Sequence, residues 1–551
     1  MAMPTENTAW PPPAWLAAYI AYAENDAWWT GSRRRLESIY GGGSATKNTL
    51  IKPHRNGGLV SDIVAGIKER GASFFWGAKG RNLTPGAPQP IRTHLPAAAN
   101  LATLSSDLQF AQSPRFLIPG QEADSKNEDA VLLRELMDAD RSRAQLNIYG
   151  EMKAALGASI CIPMWDEELA PGEVWWEAFG PDVAIPEFRN GRLAAVTLWS
   201  EQQQDRTFYR LLSHHAVEDQ EGYIEHALFE GSEDNLGQRV PLASHPIGEQ
   251  YATEVDDRSR VYTGLQRLDA VYGLNAPTVE WRKHPTLRYA GRSDFAQLHG
   301  LFDDLDRTWS SWMRDLRLGA GRTFMPSTYL TSLGRGRGAA FDDLAEYVTK
   351  IEMPGDLIDG RLPIHHQQHE IRVEQHERTL NAVYREILRK AGYSPSAWGD
   401  GGGQDGGQIT ATEVEDRNAA SERTRSKKNL HDRQTLGELA RLVLEVHSVK
   451  FGGGLKRLDD LPVVEFPEMS QEPPKELAET VAMLEAAGAI SLLMKVTRAN
   501  PDWTATQVSE EVKRIQQERG QEMPDPATLG RVAGQIEAQQ GDEDERDDDA
   551  G

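Results

Sequence analysis

The stretch FAQLHGLFDDLDRTWSSWMRDL, residues 295–316, carries the strongest periodic signal in the chain. Its apolar residues recur every three or four positions, as on the buried face of an amphipathic helix. They are Phe295, Leu298, Leu301, Phe302, Leu305, Trp309, Trp312 and Leu316. Ser293 and Asp294 stand just before them and are suitable cap residues. The pattern predicts a helix over residues 293–316.

A second long helix is predicted over residues 363–391, with Pro363 near its start and Gly392 just after its end. The residues between the two helices, 317–362, are glycine-rich, with short β-like pieces and the basic run GRGRG at 334–338. Two long helices therefore enclose a small module.

The run DGGGQDGG at residues 400–407 is too rich in glycine to favour one backbone conformation, and it predicts a mobile loop. Thr410 and Glu413 follow in a capping box. The helix that they begin is predicted to be very long, polar nearly all round over residues 414–429 and amphipathic from Leu436 to Val449. A helix that is polar on every face bridges other elements or packs against identical neighbours.

The remaining segments indicate an α+β protein that is mainly helical. Helices are predicted over residues 92–112, 127–156, 473–487, 489–497 and 504–518. An antiparallel meander is predicted from strands at 158–165, 183–188, 193–199, 206–217 and 223–229, with polar turns at 201–205 and 218–222. A short strand is expected at 463–466, and the acidic tail at 541–549 is expected to be disordered.

Composition limits the classes of function. The 551 residues carry a net charge of −23, which argues against a protein that binds nucleic acid by charge neutralisation but does not exclude one that surrounds DNA. A single cysteine excludes an intramolecular disulfide framework and a cysteine-based zinc cluster. The mean hydropathy is −0.56, and the start of the chain lacks the pattern of a signal peptide. We therefore expect a soluble protein made inside the cell.

The search for catalytic motifs yields little. The nearest approach to a phosphate-binding loop, GGGSATKN at 41–48, lacks the required residues on both sides of Lys47. His365 and His369 would lie one turn apart on the predicted helix, where they could share a metal, but the sequence shows no HExxH glutamate and no third ligand. A solvated or inter-subunit helix face is the alternative interpretation of these residues, together with His366 and His376. Cys161 lies in an apolar strand and is not expected to act as a nucleophile.

An ordered set of short stretches resembles the portal proteins, or head-to-tail connectors, of tailed double-stranded-DNA bacteriophages, in the form common in long-tailed phages of actinobacteria. The stretches are HLPAAAN (94–100), DVAIPEFRNGRL (182–193), GRSDF (291–295), DDLDRTWSSWMRD (303–315), QHEIR (368–372), AGYS (391–394), TATEV (410–414) with RTRSKK (423–428), and NPDW (500–503). Each is weak alone, but their order along residues 90–520 is specific.

The resemblance implies an architecture of wing, stem, clip and crown. Residues 1–60 would form a peripheral segment and 61–292 the wing, with the meander of about 158–230 in its outer part. Residues 293–316 would be the first stem helix, 317–362 a small α/β clip, 363–391 the second stem helix and 392–409 the tunnel loop. Residues 410–467 would add a long wing helix and a strand, 468–520 crown-like helices and 521–551 the disordered tail.

The resemblance also implies a function without catalysis, cofactor or metal. The chain would form a dodecameric ring at one capsid vertex, through which double-stranded DNA passes during packaging and ejection. Its partners would be the large terminase, a head-completion or adaptor protein at the clip, the major capsid protein and the scaffold. Its location would be the virion, and the host cytoplasm during assembly, with no membrane contact.

Site residues follow from this assignment. DNA-facing loop residues would be Gly399, Gly401, Gly402, Gly403, Gln404, Gly406, Gly407 and Gln408, with Thr410 and Glu413 capping the next helix. Stem residues would be Asp303, Asp304, Asp306, Asp315, Arg372, Arg389 and Lys390, and Arg335 and Arg337 would lie at the clip tip, where a simple solvated turn is the alternative.

The first stem segment, 293–316, carries five acids against two arginines. This excess of negative charge predicts weak contact with phosphate, so that DNA can slide. Two other functions remain open: a different phage adaptor or scaffold protein, and a metal-dependent hydrolase that uses His365 and His369.

Overall fold

The computed structural model describes residues 3–39, 93–121, 125–319, 322–326, 348–351, 365–367, 371–398, 411–452, 454, 458, 460–467, 481–500 and 505–518. The chain divides into two compact units, one of residues 1–119 and 127–467 and the other of 120–126 and 468–551. Helices and sheets are mixed, which confirms the α+β class. Among the described residues, each helix is too short or too polar to cross a lipid bilayer.

The first unit holds nine of the labelled helices. They are α1 (Leu16–Thr30), α2 (Arg33–Ile39), α3 (Ala97–Phe110), α4 (Glu128–Met137), α5 (Asp140–Leu156), α6 (Pro246–Glu249), α7 (His299–Gly319), α8 (Val373–Ala391) and α9 (Ala411–Lys450). The second unit holds a helical stretch at 481–486, α10 (Leu492–Ala499) and α11 (Ala505–Glu518). Within it, the Ser491 side chain accepts a hydrogen bond from the Met494 amide and so caps α10.

Fourteen strands in the described residues form four sheets in the first unit. The strands are β1 (Arg115–Leu117), β2 (Ala158–Trp165), β3 (Val174–Phe179), β4 (Ala184–Arg189), β5 (Arg192–Gln204), β6 (Thr207–Glu218), β7 (Glu221–Ser232), β8 (Asn235–Val240), β9 (Arg260–Tyr262), β10 (Val271–Leu274), β11 (Arg322–Pro326), β12 (Val348–Ile351), β13 (His365–Gln367) and β14 (Val463–Glu465). Their orders are β4-β5-β6-β7-β8 with β9 beside β7, β10-β2-β3, β12-β11-β13, and β1-β14.

Two apolar clusters form most of the core of the first unit. One joins α1, α3, α7 and α8 and contains Trp28, Phe302 and Ile387. The other packs the C-terminal half of α9, from Leu436 onward, against α4, α5 and the β10-β2-β3 sheet. The predicted amphipathic stripe of α9 is therefore confirmed as a core face.

The predicted helix over 127–156 is wrong in one respect, because the structure breaks it into α4 and α5. Asp138 ends α4, and Ala139 has an extended ψ of 143° before α5 begins. The Ser142 hydroxyl donates to the carbonyl of Leu136 at 2.6 Å, so a side chain replaces the helical partner of that group at the break.

The predicted meander also needs correction. Its first strand, β2, belongs to a separate sheet, where Cys161 stands opposite Val271 in β10. The true meander runs from β4 to β8, and two of its strands, β5 and β7, are longer than predicted. The polar stretch 201–205, expected to be a turn, is mostly strand, because Gln204 pairs with Thr207 and satisfies the backbone across the hairpin.

The helix predicted from residue 293 begins six residues later, at His299, so Ser293 and Asp294 are not its caps. Gln297 has a φ of +66°, a left-handed conformation that cannot continue a right-handed helix. The Ser293 hydroxyl instead donates to the carbonyl of Ala155 at 2.6 Å, and the carboxylate of Asp294 binds other segments, as described below.

The second predicted stem helix begins ten residues late, at Val373 rather than residue 363. Residues 365–367 form β13, which pairs antiparallel with β11, where His365 stands opposite Phe324. This sheet extends the small module beyond the predicted boundary at 362, because strand pairing satisfies the backbone groups that a helix would have used.

The backbone at Gly157 approaches that at Gly291 too closely for any side chain. A Cβ at Gly291 would lie 1.7 Å from the carbonyl oxygen of Gly157, whose own φ is +96° at the end of α5. This contact brings the chain after β10 against the start of β2, just before the segment that leads into α7.

We therefore expect Gly291→Ala to lower the free energy of unfolding by about 2 kcal/mol or more, because one backbone must move. Gly300→Ala is the matched control: nothing lies within 4 Å of its Cβ position, and alanine favours α7. Denaturant unfolding measures both variants. Equal effects of the two substitutions would contradict the close packing at Gly291.

Candidate functional site

Helices α7 and α8 form an antiparallel pair, the two predicted stem helices. At one end, the Asp315 carboxylate accepts hydrogen bonds from Arg372 at 2.8 Å and from the ring of His376 at 2.9 Å. The His376 ring lies nearly parallel to Trp312, with centroids 6.1 Å apart. At the other end, the Tyr393 hydroxyl donates to Asp294 at 2.8 Å. The hydrogen bonds to Asp315 hold the pKa of its carboxyl below its usual value.

The structure separates the predicted stem residues by environment. Asp304 is exposed and Asp303 is half-buried. Asp306 is buried, and it accepts hydrogen bonds from the Leu95 amide at 2.7 Å and the His94 ring at 2.8 Å. Asp306 therefore holds the start of α3 against α7.

The basic stem residues lie on the exposed surface of α8. Arg389 donates to Glu386 at 2.6 Å, one turn earlier on the helix. This pairing raises the pKa of Arg389 and lowers that of Glu386. Lys390 is exposed beside them at the end of the helix.

These contacts correct the charge argument made from the sequence. Of the five acids in residues 293–316, Asp294 binds a lysine, Asp306 binds the segment before α3, and Asp315 binds Arg372 and His376. Three of the five carboxylates therefore act as internal acceptors. The five acids of residues 293–316 therefore do not all contribute to the predicted negative face of the first stem segment.

Hydrogen bonds tie the chain after α8 to the first third of α9. The amide of Ser394 donates to the Ser421 hydroxyl at 2.8 Å, and the Thr424 hydroxyl donates to the carbonyl of Gly392 at 2.6 Å. Ser396 and Asn418 are joined through their side chains at 2.7 Å. Hydrogen bonds thus hold residues 392–396 and 418–424 together on the two sides of segment 399–410.

A buried ionic network lies along α9 next to these hydrogen bonds. Asp432, fully buried, forms an ion pair with Lys153 of α5, which is also fully buried. It accepts further hydrogen bonds from the Tyr149 hydroxyl at 2.7 Å and from the side-chain amide of Gln109 at 2.6 Å. The same amide donates to Asn429 at 3.0 Å. Helices α3 and α5 are therefore joined to α9 through one carboxylate.

A second pair lies one helical turn away, with the charges reversed. Lys428 of α9 contacts Asp294 at 2.6 Å, the Ser105 hydroxyl at 2.6 Å and the Tyr393 hydroxyl at 2.9 Å. Asp294 also accepts a hydrogen bond from the Asn275 side chain at 2.8 Å. This pair joins α9 to the segment before α7 and to the segment after α8.

The pKa values show how burial acts on these groups. Burial lowers the pKa of Lys153, although the carboxylate of Asp432 opposes this change. Burial alone would raise the pKa of Asp294, but the charge of Lys428 and the hydrogen bonds outweigh it and lower that pKa. Removing one partner of such a pair leaves an uncompensated charge, which costs about 3–5 kcal/mol.

This network changes the interpretation of the polar part of α9. The sequence predicts that this part bridges other elements or meets identical neighbours, yet Ser421, Lys428 and Asn429 are buried within their own chain. The available signal was spacing: Lys428 and Asp432 precede Leu436 at intervals of four and so continue the apolar stripe. The sequence reasoning missed Lys153, because nothing local to it indicates a partner 279 residues away.

Several predicted site residues lie outside the described residues. They are the loop residues Gly399, Gly401, Gly402, Gly403, Gln404, Gly406, Gly407 and Gln408, together with Thr410, Arg335 and Arg337. Helix α9 includes Glu413, but its side chain is not among those described. Their roles stay predictions.

The geometry proposed for a hydrolase does not form. It required His365 and His369 on one helical turn, whereas His365 lies in β13. Among the described residues, no group of three metal-binding side chains comes together. Cys161 is fully buried, and burial raises the pKa of its thiol far above the usual value.

No family model matches the chain, and no curated protein matches it. Two solved structures that resemble it are components of gene transfer agent particles. A chain from the "Neck of empty GTA particle computed with C6 symmetry" has 13% identity and a TM-score of 0.36, over 74% of this chain and 94% of that chain. A chain from the "Virion of native gene transfer agent (GTA) particle" has 14% identity and a TM-score of 0.32, with the same coverage. TM-scores of this size do not establish a common fold.

We expect Asp432→Leu alone to lower the free energy of unfolding by about 3–5 kcal/mol, because it leaves the Lys153 ammonium buried without its partner. The double variant Lys153→Met with Asp432→Leu should cost less than the sum of the single variants. Denaturant unfolding of all three measures this coupling energy. Asp304→Ala on the exposed face of α7 is the control, with an expected change within about 0.5 kcal/mol. Additive losses would show that the two groups do not act as a pair.

Proposed function

We propose that this chain is a portal protein, which forms a ring around DNA at one capsid vertex. The observation that carries the proposal is the antiparallel pair α7 and α8. One end of the pair leads into the β12-β11-β13 sheet, and the other leads toward the glycine-rich segment 399–410. This arrangement matches the stem, clip and tunnel loop that the sequence resemblance implies.

The hydrogen bonds on the two sides of segment 399–410 support its assignment as the tunnel loop. Residues 392–396 are hydrogen-bonded to residues 418–424, and the Lys428–Asp294 pair lies directly beyond them. A glycine-rich segment held at a rigid base can follow a moving helical surface without displacing its support, because glycine restricts the backbone little.

In this proposal the ring is dodecameric and the DNA passes through its centre. The sheet around β11, with Arg335 and Arg337 between β11 and β12, docks a head-completion or adaptor protein. The large terminase binds during packaging, and the major capsid protein and scaffold surround the ring during assembly. The protein acts without cofactor, metal or catalysis.

The mass and shape of the purified full chain test this proposal. Twelve copies of 61.2 kDa make about 734 kDa, so light scattering after size exclusion should give a particle near that mass. Electron micrographs of the same peak should show a closed ring with a central hole. A particle of that size without a hole would contradict the channel. A chain that remains monomeric even when it is produced together with capsid and scaffold proteins would favour the adaptor alternative.

The loop assignment makes a separate prediction. Shortening residues 401–407, or replacing their glycines with bulky residues, should impair DNA packaging while leaving rings intact, because only the contact with moving DNA changes. Packaged DNA per particle and ring mass are measured on the same variants. Deletion of seven residues from the acidic tail, 541–547, controls for loss of chain length. Variants that no longer form rings would show that residues 401–407 act in assembly.

A further inference from the structure

One exposed face of α9 carries unpaired positive charge around an apolar residue. Within residues 421–435, six side chains are exposed, and at 100° per residue they fall within one third of the helix circumference. They are Arg423, Ser426, Lys427, Leu430, Arg433 and Gln434. In the part of the chain that the structure describes, none of the three cations forms an ion pair. Leu430 is 65% exposed at the centre of this cationic face.

The loop between β2 and β3 has the complementary composition. Residues 166–173 contain four exposed acids, Asp166, Glu167, Glu168 and Glu173. Leu169 among them is 76% exposed, the largest value for a big apolar side chain in the described residues. The Asp166 carboxylate accepts the amides of Glu168 at 2.9 Å and Leu169 at 2.8 Å, which fixes the turn that presents this leucine.

The two surfaces cannot meet within one chain. Lys450, at the end of α9, lies 4.3 Å from the ring of Trp165, the last residue of β2 before the loop. Leu430 lies 20 residues earlier on the same helix, about 30 Å away at 1.5 Å per residue. An eight-residue hairpin loop extends only about 13 Å from its strands.

We infer that the cationic face of α9 in one copy of this chain binds the β2–β3 loop of a second copy. Exposed leucines centred in surfaces of opposite charge fit each other, whereas Leu430 would have no partner on a phosphate backbone. Different surfaces of the two copies meet, so the contact is heterologous, the type that gives a ring when the rotation between copies closes. The inference rests on the proposed ring and names residues that hold it together.

Cross-linking tests the contact directly. Lys427→Cys and Glu168→Cys are introduced together in the full chain, where the native Cys161 is buried. A short bismaleimide should then give a ladder of covalent multimers, because the two sites are too far apart within one chain. The control pair is Lys427→Cys with Glu254→Cys, another exposed acid of the same unit. No ladder, an equal ladder from the control, or an equal product from Lys427→Cys alone would overturn the inference.

Charge reversal tests its energetics. Arg423→Glu, Lys427→Glu and Arg433→Glu together should raise the concentration for half-assembly at least ~10-fold, because like charges then face each other. Adding Glu167→Lys, Glu168→Lys and Glu173→Lys should restore assembly. Reversal of three other exposed cations, Arg206, Arg258 and Lys283, is the matched control and should change little.

The outcomes separate this contact from the proposed function. Rings that form equally well after reversal of the α9 face would overturn the inference and leave the portal proposal standing. Normal assembly combined with lost binding of duplex DNA would mean that the face binds phosphate, and the inference would be wrong. A parent chain that does not associate even when it is produced together with capsid and scaffold proteins would overturn both the inference and the ring.

Discussion

The buried pairs of α9, Lys153 with Asp432 and Lys428 with Asp294, are the interaction on which the first unit depends. Each buries both of its charges almost completely, so each charge requires its partner at one fixed position. On one face of the helix, α9 supplies the anion of the first pair and the cation of the second. A helix that supplies a cation at one turn and an anion at the next has a single register in which both charges are satisfied.

That register connects distant parts of the chain around the α7–α8 pair. Asp294 leads into α7, Tyr393 follows α8, and both meet Lys428. Movement of α9 would therefore break contacts at the ends of both helices at once. These contacts are the physical basis for treating the hydrogen-bonded segments 392–396 and 418–428 as a rigid support.

Local patterns predicted the elements better than their ends. The stripe of α7, the length of α9 and the hairpins of the large sheet follow from periods of 3.6 and 2. The start of α7 does not, because the left-handed Gln297 and the tertiary partners of Asp294 override a good capping sequence. The sequence predicted a helix around His365 because the strand pairing of β13 with β11 is non-local and leaves no local pattern. In the candidate site, spacing could reveal that Lys428 and Asp432 face inward, but not which residues neutralise them.

The distribution of charge gives the chain's acidity a physical interpretation. A net charge of −23 provides many carboxylates, and the first unit uses Asp294, Asp306 and Asp432 as internal acceptors. Among the described residues, the turn at 166–173 holds a group of four exposed acids. Other cations, such as Arg206 and Lys283, are also exposed without an ion pair in the described residues, but they do not share one helix face. A face of α9 that keeps three such cations beside an exposed leucine is best explained by an acidic surface that the single chain cannot bring to it.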